Sequence, residues 1–114
     1  MQAVSRASFL KGSARKMRQV IDLVRGRNVE EAFNILRFTH KKSALNLEKV
    51  IRTAVSNALS IHGDRIQDPN MLTIIEATCD EGPIMKRIRA RAMGRAFRVR
   101  KRSCHVKIVV EFKE

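Results

Sequence analysis

Residues 3–10 alternate: Ala3, Ser5, Ala7 and Phe9 fall on one side of an extended chain, Val4, Arg6, Ser8 and Leu10 on the other. A period of two predicts an edge strand. Gly12 and Ser13 end it. Ser13 suits the N-cap of a helix, because its hydroxyl can accept from an amide that the first turn leaves without a partner. Met17, Val20, Ile21 and Val24 then keep the i, i+3, i+4, i+7 spacing of one helical face, and Gly26 supplies the stop. Arg15, Lys16, Arg18 and Arg25 occupy the opposite face.

Asn28, followed three residues on by Glu31, makes a capping-box signature with Asn in place of Ser or Thr. The short helix it opens is expected to bury Val29, Ala32, Phe33 and Leu36 and to end near Phe38. Beyond Thr39, with Lys41 and Lys42 at its start, a third helix runs to about His62. Its apolar stripe, Leu47, Val50, Ile51, Ala54, Val55, Ala58 and Leu59, is wide enough to touch more than one element and predicts the central helix. The small Ala54 and Ala58 leave room for another backbone. Gly63 stops this helix, and Asp64 to Asn70, with Pro69, reads as a polar connection. Leu72 to Cys79 is rich in β-branched residues, and Val106, Ile108, Val110 and Phe112 alternate with Lys107 and Glu111. Both predict strands. The order gives an α+β fold: three helices packed on a small antiparallel three-stranded sheet.

Between the last two strands lies GPIMKRIRARAMGRAFRVRKR, Gly82 to Arg102. Composition favours a helix there, since Arg, Lys, Ala and Met are good helix formers. Spacing opposes it. Met85, Arg87, Arg89, Arg91 and Met93 alternate with Lys86, Ile88, Ala90 and Ala92, and Arg98, Arg100 and Arg102 alternate with Phe97 and Val99. Period two fits pleated strands with the charge on one side of each, so the segment is expected to be a long, protruding basic β-hairpin with its tip around Ile88 to Gly94. Each arm would reach roughly 30 Å at ~3.3 Å per residue, against a radius of gyration of about 13 Å for a compact chain of this size. Like charges across a lone ribbon repel, so the tip is expected to be mobile until a partner arrives. Residues 1–114 then form a single domain, with a globular body of 1–80 and 103–114 and an extended β-hairpin at approximately 81–102.

Composition changes the picture in one respect. An apolar fraction of 44% is ordinary for a folded domain, but 24 Lys and Arg against 11 Asp and Glu give a net charge of +13. A field of that size repels itself unless a polyanion neutralises it, and nine cations without an acid in the 21 residues of the hairpin point to nucleic acid. Seven of the nine are arginine, whose planar donors grip phosphate in pairs and stack on bases. Phe97 either stacks on a base or anchors the two arms. No apolar run approaches the ~20 residues of a spanning helix, which leaves no membrane partner and a cytoplasmic location. Cys79 and Cys104 make no zinc spacing, even with His105 adjacent, and read as small strand residues; no metal and no cofactor is expected. His40, His62 and His105 are scattered, Asp64 and Asp68 lie in a loop, and no nucleophile stands beside a base, so the chain is not expected to be an enzyme.

The stretch DEGPIMKRIRARAMGRAFRVRKRSCHVKIVV, Asp80 to Val110, resembles the hairpin signature of the universal large-subunit ribosomal protein L-twenty-two family, and SARKMRQVIDLVRGRNVEEAFNILRF and KVIRTAVSNA resemble its helical body. The resemblance implies a structural constituent of the large ribosomal subunit, located in the ribosome of the cytoplasm or of an organelle. Its body would sit on the outer surface of the subunit while the ribbon threads between ribosomal RNA domains and reaches the nascent-peptide exit tunnel, where changes alter the response to macrolide antibiotics. Its partners would be large-subunit ribosomal RNA, neighbouring ribosomal proteins and, at the hairpin tip, the nascent polypeptide; off the ribosome it would be a monomer. Met85, Lys86 and Arg87 match the family's M-K-R near the tip, Arg91 with Gly94 and Arg95 its R-A-x-G-R, and Lys101, Arg102 and His105 its K-R-x-x-H. Arg15, Lys16 and Asn57 match body positions that face RNA. Ala14 and Ala90 stand where relatives often carry proline, and Phe97 where a polar residue is common.

The expected RNA-binding residues are therefore Arg15, Lys16, Arg18, Arg25, Lys41, Lys42, Asn57, Lys86, Arg87, Arg89, Arg91, Arg95, Arg98, Arg100, Lys101, Arg102 and His105, and the expected tunnel tip is Met85, Lys86, Arg87, Ile88, Arg89, Ala90, Arg91 and Gly94. The alternative is a DNA-architectural protein using the basic β-ribbon as a minor-groove arm, which dimeric state and preference for duplex DNA would distinguish.

Overall fold

The computed structural model describes residues 2–64, 66, 68–90, 94 and 96–112, with the backbone alone at 70, 89, 90 and 96–99. Its elements are β1 (Gln2–Lys11), α1 (Ala14–Val24), α2 (Val29–Phe38), α3 (Lys42–His62), a 3-10 turn (Pro69–Met71), β2 (Thr73–Glu81), β3 (Met85–Ala90), β4 (Ala96–Lys101) and β5 (Ser103–Glu111). β1, β5 and β2 form an antiparallel three-stranded sheet in that order, and β3 pairs with β4 in a separate two-stranded ribbon.

The caps form as the sequence predicts. Ser13 Oγ accepts from the Lys16 amide at 3.3 Å, and Asn28 Oδ1 accepts from the Glu31 amide at 2.9 Å. Gly26 leaves α1 with φ at +79°, a left-handed turn open to glycine. Gly63 follows α3 in the right-handed helical region instead, so its backbone freedom is not what ends that helix.

The core lies between the three helices and one face of the sheet. α1 contributes Met17, Val20, Ile21 and Val24, α2 contributes Val29, Ala32 and Leu36, and α3 contributes Leu47, Val50, Ile51, Ala54 and Ala58, all buried. α3 is the central helix, packed on β1 and β5 and against α1 and α2. Its stripe is narrower than the sequence suggests: Val55 is half-buried and Leu59 exposed. From the sheet, Val106, Ile108, Val110 and Phe112 face inward with Ile74, Ala77 and Cys79.

β1 departs from strict alternation. Its register with β5 slips by one residue between Ala7 and Leu10. Phe9, which alternation puts on the same side as Ala3, Ser5 and Ala7, instead has φ at +59° and is 66% exposed. The extra residue of a bulge breaks the period of two, so Leu10 turns toward the core in its place.

The molecule measures 64 × 26 × 16 Å with a radius of gyration of 17.1 Å, well beyond the ~13 Å of a compact chain. The ribbon accounts for the elongation, and no described residue from Gly82 to Arg102 belongs to the core. Replacing Ile51, fully buried, by Ala is therefore expected to lower stability in urea by about 2–5 kcal/mol, whereas Ile88→Ala in the exposed ribbon should change it by less than about 0.5 kcal/mol.

Candidate nucleic-acid interface

The ribbon carries its charge differently from the sequence expectation. The register pairs Met85 with Lys101, Lys86 with Arg100, Arg87 with Val99, Ile88 with Arg98, Arg89 with Phe97 and Ala90 with Ala96. Directly opposed residues share a face. Arg87, Arg89 and Lys101 therefore lie on one face and Lys86, Arg98 and Arg100 on the other. Each arm keeps its arginines on one side, as its alternation predicts, with its lysine on the other; the arms meet out of phase, and the ribbon is cationic on both sides. Lys86 and Arg100 are the one directly opposed pair of cations among the paired residues; Arg87, Arg89, Arg98 and Lys101 each face an apolar residue. That arrangement spares the ribbon most of the cross-strand repulsion its composition implies.

The turn falls between Ala90 and Ala96, with Gly94 in the left-handed region at φ +70°. Met85, Lys86 and Arg87, expected near the tip, sit at the body end of β3 instead. The register decides this, since it carries the pairing five residues beyond Met85 before the chain turns. Arg91 and Arg95 lie outside the described residues. Lys86, Arg87, Arg100, Lys101 and Arg102 are exposed, and among the described residues none of them is ion-paired. The chain has no acidic residue from Gly82 to Val110.

The body's cations divide into two groups. Arg15, Lys16 and Lys42 are exposed, and Lys41, also exposed, donates to Gln19 Oε1 at 3.2 Å. Arg18 and Arg25 are turned onto β2. Arg18 Nε and Nη2 donate to Cys79 O at 3.0 and 2.8 Å, and Arg25 Nη2 donates to Ala77 O at 2.8 Å while Nη1 pairs with Asp22 at 3.1 Å. β2 is a sheet edge, and these guanidinium groups satisfy carbonyls that no strand reaches. The α1–α2 connection covers the earlier part of the same edge, with Gly26 N on Ile74 O, Val29 N on Leu72 O and Ile74 N on Arg27 O. At the other edge Asn57 Nδ2 donates to Val4 O at 3.0 Å. His105 Nδ1 accepts from the Phe9 amide at 3.1 Å, and the two rings meet edge-on at 4.9 Å. Four of the expected RNA ligands, Arg18, Arg25, Asn57 and His105, thus already hold protein groups.

Reading the sequence alone passed over Arg6 and Lys49, which flank a groove between β1 and α3 with Asn46 and Thr53. Each is a single cation on the polar side of an amphipathic element, and only the packing of β1 on α3 brings them together.

Cys79 and Cys104 are free and buried on the inner face of the sheet. Burial, reinforced by the neighbouring Cys104, pushes the Cys79 thiol up to about 12. Among the described residues no three His, Cys, Asp or Glu side chains are placed to hold a metal, and no helix is long and apolar enough to cross a membrane.

The profile of the family described as "Ribosomal protein L22p/L17e" matches residues 5–111. The chain belongs to that family. It is 46% identical over 114 residues, all of this chain and 98% of the relative, to the "Large ribosomal subunit protein uL22" of Halothermothrix orenii. It is 45% identical over the full length of both chains to the protein of the same name from Thermoanaerobacter sp.. Membership makes it a large-subunit ribosomal protein, a structural component rather than an enzyme, located in the ribosome in the cytoplasm.

Two outcomes follow from the side-chain geometry. Arg18→Met should destabilise the fold in urea by about 1.5–3 kcal/mol, because it strips a charged donor from the Cys79 carbonyl, while Arg15→Met on the exposed side of α1 should stay within about 0.5 kcal/mol. With its thiol held near 12, Cys79 should resist iodoacetamide at pH 8 in the folded protein and react once urea unfolds it, as mass spectrometry of the alkylated peptides would show.

Proposed function

We propose that this protein binds large-subunit ribosomal RNA through both faces of the β3–β4 ribbon and through the exposed cations of the body, Arg15, Lys16, Lys41 and Lys42. The observation that carries the reading is the acid-free ribbon itself, with three cations on each face among its paired residues and no described residue in the core. A flat docking surface would need charge on one side. Cations on both sides fit a cleft whose two walls are polyphosphate, and arginine donors suit phosphate oxygens from either wall. Affinity and position then come from phosphate contacts, and the address comes from RNA shape rather than from a base code.

In this reading residues 1–114 act as one domain: body 1–80 and 103–114 rests on the surface of the subunit among neighbouring ribosomal proteins, and the hairpin at about 81–102 runs inward. Ile88, Arg89, Ala90 and Gly94, beyond Met85 to Arg87, belong to the end that reaches the exit tunnel and meets the nascent polypeptide. Off the ribosome the protein is a monomer. Arg18, Arg25, Asn57 and His105 contribute to RNA binding through the surface they hold in shape, and any direct contact uses donors that their protein partners leave free.

Chemical footprinting of ribosomal RNA tests this. The full chain should protect two sets of nucleotides, and a variant with Ile84 to Val99 replaced by a short turn should fold and keep the body's set while losing the ribbon's. Binding by the full chain should weaken about a thousandfold or more between roughly 50 and 200 mM salt. An affinity indifferent to salt, or a ribbon-less variant with an unchanged footprint, would refute the proposal.

A further inference from the structure

Where the ribbon leaves the body, its two arms are unequal. From Glu76 on, β2 and β5 pair without a slip as far as Glu81 with Cys104, and pairing resumes at Met85 with Lys101. One arm spends three residues, Gly82, Pro83 and Ile84, on the interval, and the other spends two, Arg102 and Ser103. An extra residue in one strand bends a pair and increases its twist, so this interval sets the direction in which the ribbon points.

Side chains and backbone from all three strands of the body converge on it. The Gly82 amide donates to Ser103 O at 3.0 Å, Ser103 Oγ donates to Pro83 O at 2.7 Å, and the Gly12 amide donates to Arg102 O at 3.0 Å. The proline carbonyl is thus held although Pro83 has no amide to pair. The bulge of β1 lies alongside. Phe9, in the left-handed region, aims its amide at His105 Nδ1 and sets its ring edge-on against the imidazole. The imidazole in turn closes over Gly82: a Cβ there would stand 2.6 Å from Ser103 Oγ and 3.2 Å from His105 Nε2. Only glycine lets these groups meet.

We infer that Phe9, Gly82, Ser103 and His105 form a clasp that locks the three-against-two bulge and so fixes the angle between ribbon and body, with His105 a positioning residue rather than an RNA ligand. The purpose of a fixed angle, a ribbon aimed before its RNA arrives, rests on the function proposed above; the rigidity itself does not, and is measured without RNA.

Residual dipolar couplings on the isolated full-length protein read it directly. In the unaltered chain the amides of 85–88 and 99–101 should share one alignment tensor with the body. In Gly82→Ala, whose new methyl evicts Ser103 Oγ, and in His105→Leu, which removes the acceptor for Phe9, the ribbon's order parameter relative to the body should fall from about 0.85 to below about 0.6, with the body's couplings intact. His105→Asn, whose Oδ1 can accept in place of Nδ1, should restore the shared tensor. If Gly82→Ala fails to fold, Ser103→Ala, which deletes a single hydroxyl, carries the test. A ribbon that needs its own tensor in the unaltered protein, or one whose couplings ignore every substitution, overturns the inference.

Discussion

The inner face of the β1–β5–β2 sheet is the apolar surface on which the body is built: α1 and α3 cover it, and α2 packs against both helices. Removing that surface from water is the main driving force available to a chain with a net charge of +13, since its surface charges oppose compaction. Burial stops where the inward residues stop, at Cys79 on β2 and Cys104 on β5. Beyond them, past an interruption, the chain pairs again as β3 and β4 without a helix beneath. The ribbon is what a hairpin becomes when its core ends before its strands do.

The body spends polar groups as carefully as apolar ones. A three-stranded sheet has two open edges, each a row of unpaired amides and carbonyls able to template pairing with another chain. Here one edge is closed by the α1–α2 connection and by Arg18 and Arg25, and a carbonyl of the other is met by Asn57. Arginine suits the task because its fork holds a carbonyl from two nitrogens, as Arg18 does for Cys79. One helix face therefore serves two ends: residues near the sheet seal it, and Arg15 and Lys16 remain free for a polyanion.

Out on the ribbon the register solves a different difficulty. Six cations on twelve paired residues would repel one another if they met across the ladder, yet four face apolar partners and only Lys86 and Arg100 face each other. Charge is spread over both faces instead of being stacked on one. A ribbon built this way can persist without a core, but among its described residues no acid neutralises its charge, which is why the proposed function gives it phosphate on both sides. The clasp at its base then matters mechanically, because a ribbon without tertiary contacts along its length can be aimed only from its root.

Much of this was legible beforehand, and the physical reason is locality. The caps at Ser13 and Asn28, the apolar faces of α1 and α3 and the period-two arms are each set by residues within a few positions, and a helix or strand repeats its environment at a fixed interval. The family, too, was readable in the hairpin and helical signatures. Phe9 was misread because a bulge adds one residue to the count, and only pairing with β5 reveals it. The faces of the ribbon were misread for the same reason: alternation fixes which residues of one arm go together, but the phase between two arms depends on where the turn falls. That Arg18, Arg25, Asn57 and His105 hold backbone groups was not legible, because a sequence cannot say which polar side chain will find an unpaired backbone group beside it. The sequence by itself determined the elements, the charge and the class, all of them sums over near neighbours; tertiary structure alone decided register, edges and the root of the ribbon, because each of those is a contact between residues far apart in the chain.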